Sequence, residues 1–445
     1  MSHDSVIESD LVLLHARWVI PVEPPGVVFD HHSLVVHHGK IREILPTAVA
    51  TQRYPTAVSQ IFPTHVLIPG LVNAHTHAAM TLLRGLADDL PLMTWLNEHI
   101  WPAEARWVSP EFVRDGTLLA AAEMLLGGVT CFNDMYFFPV DAANAAVAAG
   151  IRACIGLIVL DFPTAWAQSA AEYLSQAQLI HRQLADFPLI RTALAPHAPY
   201  TVSDPPLAEV RALAERLDLP IHIHVHETAT EVAQSLVKYG ERPLARLERL
   251  GLLSSRLIAV HMTQLTEEEV ALCARRNIHV AHCPESNLKL ASGFCPVERL
   301  NSAGVNVALG TDGAASNNDL DLLGEMRTAA LLAKAVANDA AKLPAPAAIH
   351  LATLAGARAL GIDDITGSLL PGKAADIVAL DLSATEPVYH PASALVYTAS
   401  RSMVTDVWVA GRQVVRNRHL TTLDIPELMT RIRAWGARIA PRELT

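Results

Sequence analysis

Eight short runs of β-forming residues, each followed by a helical or loop segment, constrain this chain more than any other feature. They fall at residues 66–74, 129–134, 153–160, 190–196, 221–226, 257–261, 278–283 and 305–311. Between most of them lie Ala- and Leu-rich stretches with helical spacing, as at 204–217 and 266–276. Eight such alternations predict an α/β fold closed into a parallel (β/α)8 barrel of the TIM type, not an open doubly wound sheet. Helices are expected to continue through 320–340 and 345–360.

The two ends read differently. Short strands around turns are expected at 11–20, 33–38 and 41–45, and again at 377–380, with a hairpin over 406–416. A small β-sandwich formed from both chain ends accounts for them. The expected division is therefore 1–65, 66–364 and 365–445, which suits a chain of 445 residues.

Composition removes several function classes. With 51% hydrophobic and 18% charged residues, the chain can build a large core and is not disordered. A formal net charge of -11 without a basic patch argues against a nucleic-acid partner. Five cysteines (Cys131, Cys154, Cys273, Cys283, Cys295) show no CxxC spacing and read as reduced, buried thiols. Met1-Ser2-His3-Asp4 lacks the regions of a signal peptide, and Arg152 interrupts the longest apolar run. A cytoplasmic protein without a membrane partner is expected, and a homo-oligomer is compatible with all of this. Neither GxGxxG, GxxxxGK[ST] nor PCxxC occurs, so dinucleotide, nucleoside-triphosphate and cytidine-deaminase-type zinc sites are not indicated.

Functional side chains of a TIM barrel gather at the C-terminal ends of its strands. After the apolar run Val66-Leu67-Ile68, the first such end reads Pro69-Gly70-Leu71-Val72-Asn73-Ala74-His75-Thr76-His77. Residues two apart on a strand share a face, so His75 and His77 aim together. His224 lies near the end of the fifth run, His261 ends the sixth and Asp312 ends the eighth. Four imidazoles and a carboxylate converging on one rim point to a metal site. His222, His224 and His226 share one face by period, so spacing alone does not choose among them.

The motif PGLVNAHTH, the HxxE formed by His224 and Glu227, His261, the run Thr311-Asp312-Gly313 and PGKAADIV near the C-terminus resemble the amidohydrolase superfamily over nearly the whole chain. That resemblance implies a distorted (β/α)8 barrel and a catalytic divalent metal held by His75, His77, His224 and Asp312. Of the three alternating histidines it selects His224 as the ligand, leaving His222 as a buried, hydrogen-bonded residue deeper in the barrel. Binuclear members carry a carboxylated lysine on the fourth strand, where this chain has Arg191-Thr192-Ala193-Leu194-Ala195-Pro196-His197, so one ion per chain is expected. An imidazole-rich set favours zinc. Glu227 would shuttle a proton to a ring nitrogen, Asp312 would accept the attacking water's proton, and His261 would hold the oxygen added to the ring.

Further motifs resemble the methylthioadenosine/S-adenosylhomocysteine deaminase branch. They are Ala78 to Gly85, Pro91-Leu92-Met93-Thr94-Trp95-Leu96, Trp101-Pro102-Ala103-Glu104, the run Ala195 to Tyr200, and Cys283 to Leu290. The branch implies a small nucleoside substrate deaminated at its 6-amino group. Glu104 would take the ribose hydroxyls, His197 and Trp95 would line the nucleoside site, and Ser316 would reach the base. Between Arg152 and Arg182 there is no Lys or Arg, so the loop after the third strand offers a homocysteine carboxylate nothing. A preference for methylthioadenosine follows, unless Arg84 or a neighbouring subunit supplies a cation. The alternatives are guanine or cytosine deamination, s-triazine hydrolysis, or an inactive barrel scaffold. A free-base deaminase does not need Glu104, and s-triazine dechlorinators are expected to lack the HxxE glutamate. A scaffold would have lost ligands that are all present here.

Overall fold

The computed structural model describes residues 11–440, and the reading of Met1 to Asp4 lies outside the described residues. The predicted barrel is present. Its parallel strands are Leu71–Thr76, Val129–Tyr136, Arg152–Val159, Ile190–Pro196, Ile221–Val225, Leu257–His261, His279–His282 and Asn306–Leu309, each paired with the next. Covered on both faces, the strands are almost wholly buried, as parallel sheets are. Small side chains pack the middle of the barrel: Cys131, Cys154, Ala193, Ala281 and Ala308 surround Ile258 and Val260. Alanines of the helix Leu354–Ala359 join the same cluster. All five cysteines are free and buried.

The seam between the eighth and first strands closes through short contacts rather than a ladder. The backbone N–H groups of Thr311 and Asp312 both donate to the His75 carbonyl, at 3.1 and 3.0 Å. Asn73 grips Thr311 twice, donating to its hydroxyl at 2.8 Å and accepting from its N–H at 3.1 Å. A side chain at Gly310 would meet His75 at 2.9 Å, so only glycine lets the two strands approach.

The second sheet is made from both chain ends, as expected. It has eight strands, with Val58–Pro69 in the middle, parallel to Leu11–Val19 on one side and antiparallel to Ile377–Asp381 on the other. Leu14, Val19, Leu34, Phe62, Ile377 and Trp408 fill its interior.

One strand reading is corrected. The run 66–74 is not a single barrel strand, because Val66, Leu67 and Ile68 pair with Leu380, Ala379 and Val378 in the terminal sheet. The chain crosses into the barrel at Gly70, whose N–H donates to the Asp376 carbonyl. Any Cβ there would lie 1.9 Å from the Thr130 hydroxyl. The helix expected over 345–360 is likewise two, Ala345–Leu351 and Leu354–Ala359, broken at Thr353. Arg152, read as a mere interruption of an apolar run, is 5% exposed and forks onto Asp376 at 3.1 and 3.0 Å. Asp376 also accepts from the Ala410 N–H at 2.6 Å, which ties the barrel to the terminal sheet.

Candidate active site

The C-terminal rim of the barrel opens into a cavity of about 480 Å³. Its floor is built by residues that leave strand geometry. His261 and Asp312 both adopt left-handed backbone, with φ of 74° and 60°. Such conformations cost of order 1–3 kcal/mol for residues with a side chain and concentrate at functional sites. Potential ligand atoms of His75, His224, His261 and Asp312 all lie within 4.8 Å of one another. His77 joins them, its Nε2 3.2 Å from Asp312 Oδ1, as is that of His75.

Every one of these imidazoles is anchored through Nδ1. His75 contacts His222 Nε2 at 2.8 Å, His77 the Met135 carbonyl at 2.6 Å, His224 the His197 carbonyl at 2.7 Å, and His261 the Asn287 side-chain oxygen at 2.8 Å. All four therefore turn Nε2 toward the centre. A hydrogen bond on one ring nitrogen that fixes the other as a lone pair is the usual support of a metal-ligating histidine. Asp312 Oδ2 is held in turn by the hydroxyls of Ser286 and Ser316, at 2.7 and 2.8 Å, leaving Oδ1 to the histidines.

The electrostatics agree with a ligand set. Burial pushes His75 down to about 4 and His224 well below its ordinary value, so both are neutral, ligand-competent imidazoles. Burial also raises a lone carboxyl, yet the close His75 and His77 rings hold Asp312 well below the carboxylate range. His77 feels burial in the lowering direction, but the Asp312 hydrogen bond and charge outweigh it and lift His77 to about 9. A divalent cation suits this donor set.

Glu227 stands at the edge of that floor, 5% exposed, with Oε1 3.9 Å from His261 Nε2. Burial first, and the Asp312 charge second, raise it to about 8, so it carries a proton at neutral pH. Glu231, which spacing did not single out, holds Glu227 by accepting from its backbone N–H at 2.6 Å and from that of His226 at 3.1 Å. Sequence reasoning also missed Asn287 and Ser286, which sit on the short helix Pro284–Lys289 within Cys283 to Leu290. His222 lies beneath His75 as expected. His226 turns away from the cavity, its Nε2 accepting from the Leu244 N–H at 3.1 Å.

Glu104, His197, Ser316 and Trp95 all line the cavity. A segment following the first strand brings two of them in, through a π-helical turn at Trp95–Ile100 and the helix Trp101–Trp107. The Trp95 indole N–H is already spent on the Ala87 carbonyl at 3.1 Å, so Trp95 offers a ring face. Burial raises Glu104 to about 7. The remaining wall is largely apolar, with Leu92, Trp101, Ile158, Leu160, Phe162 and Pro163, and among the described residues no Lys or Arg lines the cavity. Arg84 does not fill that gap, because it pairs with Glu123 outside the cavity.

Residues 66–414 match the profile of the Amidohydrolase family. The chain belongs to that family. Among the relatives of this amidohydrolase, the 5-methylthioadenosine/S-adenosylhomocysteine deaminase of Saccharophagus degradans is 50% identical over 430 residues, 96% of each chain. The 5'-deoxyadenosine deaminase of Methanothermobacter thermautotrophicus is 46% identical, covering 84% of this chain and 87% of its own. A crystal structure of an adenosine deaminase from Xanthomonas campestris with bound zinc superposes with a TM-score of 0.96 at 56% identity, covering 97% of this amidohydrolase and 99% of that chain. Triazine hydrolase structures at 23% identity, with a TM-score of 0.89, share the fold.

Proposed function

We propose that this amidohydrolase is a metal-dependent deaminase that converts the 6-amino group of an adenosine-type nucleoside to a carbonyl oxygen, releasing ammonia. The observation that carries the reading is the meeting of four Nδ1-anchored histidines, Asp312 and the buried Glu227 in a cavity that also holds Glu104. His75, His77, His224 and Asp312 are assigned as the ligands of one divalent ion, zinc, and His261 faces the same centre. When bound, such an ion acidifies water into a nucleophile near neutral pH. Glu227 gives its proton to the purine ring nitrogen beside C6, which makes that carbon electrophilic. Asp312 receives the proton of the attacking water and passes it to the departing amine. His261 Nε2, left as a lone pair by the Nδ1 contact with Asn287, accepts from the hydroxyl added at C6, whose proton returns to Glu227 as the carbonyl forms.

Glu104 accepts hydrogen bonds from the ribose hydroxyls, a pairing that suits a carboxylate and a vicinal diol. His197 and the Trp95 ring flank the nucleoside, and Ser316 lies near the base while supporting Asp312. The apolar wall around Leu160, Phe162 and Pro163 takes the 5' substituent. A methylthio or 5'-deoxy group is welcome there, whereas a zwitterionic tail would lose hydration without meeting a cation. Methylthioadenosine is therefore favoured over S-adenosylhomocysteine. The same reading keeps the division 1–65, 66–364 and 365–445, with the refinement that Val58–Pro69 belongs to the terminal sheet. It also places the protein in the cytoplasm, on its five free buried cysteines. No helix among the described residues is long and apolar enough to cross a membrane. A homo-oligomer remains compatible with this reading.

Ammonia release from methylthioadenosine, S-adenosylhomocysteine, 5'-deoxyadenosine, adenosine, guanine and cytosine tests the proposal. The highest kcat/KM is expected with methylthioadenosine or 5'-deoxyadenosine. Activity confined to the free bases would overturn it, and a clear preference for S-adenosylhomocysteine would overturn the argument from the apolar wall.

A further inference from the structure

Tyr136 closes the second barrel strand and lines the cavity beside Glu104. It is 3% exposed, and its hydroxyl has no hydrogen-bond partner among the described residues. Buried polar atoms in folded proteins are nearly always paired, so an orphan at a substrate cavity calls for a partner that the chain does not supply. The Glu104 carboxylate lies beside it at the edge of hydrogen-bonding reach, near enough for each group to shift the other's titration but short of a well-formed bond. A carboxylate and an unpaired hydroxyl thus face the same space.

A vicinal diol brings two O–H donors and two oxygens with spare lone pairs. A carboxylate takes both donors and leaves the oxygens wanting a donor in return. A phenol supplies one. We infer that Tyr136 is a further substrate-binding residue, whose hydroxyl donates to one ribose hydroxyl oxygen while Glu104 accepts from the pair. The inference rests on the ribose reading of Glu104 and extends it, making diol recognition a two-sided contact. Burial, and then the Glu104 charge, keep the phenol protonated and able to donate at every working pH. The sequence hides this residue. At the end of a buried strand, a tyrosine next to Phe137 and Phe138 reads as core.

The test is Tyr136→Phe, assayed on a ribonucleoside substrate and on its 2'-deoxy and 3'-deoxy analogues, beside Glu104→Ala. On the ribonucleoside, KM should rise roughly fivefold to tenfold with kcat nearly kept, the scale of one neutral hydrogen bond. For the analogue lacking the hydroxyl that Tyr136 meets, parent and variant should match. Thermal stability should stay level or increase, because the free protein loses no hydrogen bond. An equal loss on all three substrates, or no loss on any, would overturn the inference. A fall in Tm with a uniform loss would assign Tyr136 a structural role and overturn it as well. If Glu104→Ala separates ribose from deoxyribose and Tyr136→Phe does not, Tyr136 alone is wrong. If neither does, the ribose reading of Glu104 falls too.

Discussion

The floor and the wall of the cavity are built on opposite plans. On the floor each imidazole has its Nδ1 bonded to a neighbour, and Asp312 has two serine hydroxyls behind it. On the wall, the Tyr136 hydroxyl lacks a partner among the described residues, and it and Glu104 sit among aromatic and aliphatic side chains. The floor is arranged before substrate arrives, and the wall is completed by it. Chemistry that must stabilise a fleeting charge gains from fixed groups, whereas selection among nucleosides gains from groups that pair only with the right one.

Breaking the floor should cost most. His224→Ala or Asp312→Ala should lose the ion and at least about a thousandfold in kcat/KM, since a catalytic metal contributes several kcal/mol. Elemental analysis should find about one divalent ion per parent chain, because the fourth strand carries no bridging lysine. Two tightly held ions would break the single-metal account. Glu227→Gln should keep the metal and lower kcat by about a hundredfold, the scale of a positioned acid–base group. Near-parental kcat would show that the proton travels elsewhere.

Changes on the wall should be smaller and selective. Glu104→Ala should cost about 2 kcal/mol, or roughly thirtyfold in kcat/KM, on ribonucleosides and far less on 2',3'-dideoxy analogues. A uniform loss would erase the contrast between the two regions. Between them lies the support of His261. Asn287→Ala frees that ring and should lower kcat roughly tenfold with the substrate's KM nearly unchanged, as loss of an outer support does. Last, pH sharpens the wall's role. Burial raises Glu104 to about 7, so its carboxylate is present above that pH and is lost below it. KM for ribonucleosides should therefore rise as pH falls through 7, and Glu104→Gln should flatten that rise. A parental KM independent of pH between 6 and 8 would contradict this.

Much of the floor was legible in the sequence because a barrel places strand ends together whatever lies between them. His75, His77, His224, His261 and Asp312 each follow a β run, and the structure gathers them around one point. What supports them was not legible. Asn287 and Ser286 lie on a six-residue helix whose direction no periodicity reveals. Register pairs His261 with Val225 and Val260 with His224, so strict alternation would set His261 and His224 on opposite faces. A left-handed residue at the strand end accompanies the departure from that rule. The crossing at Gly70 was hidden for another reason. Both flanking strands are apolar, so hydropathy runs through the boundary, and only the close approach of Thr130 marks it.

The fork between Arg152 and Asp376 spans 224 positions of sequence. A ribosome therefore releases the guanidinium long before its counter-charge exists. Until residue 376 emerges, the third barrel strand must either leave Arg152 in water or bury a bare cation, and the second is prohibitive. Asp376 also receives the Gly70 N–H on its carbonyl and the Ala410 N–H on its carboxylate, so the start of the strand bearing His75 waits for the same residue. Folding of the catalytic rim is thus set to finish late in synthesis, and a transcript cut short of position 376 would yield a barrel that cannot close around its own charge.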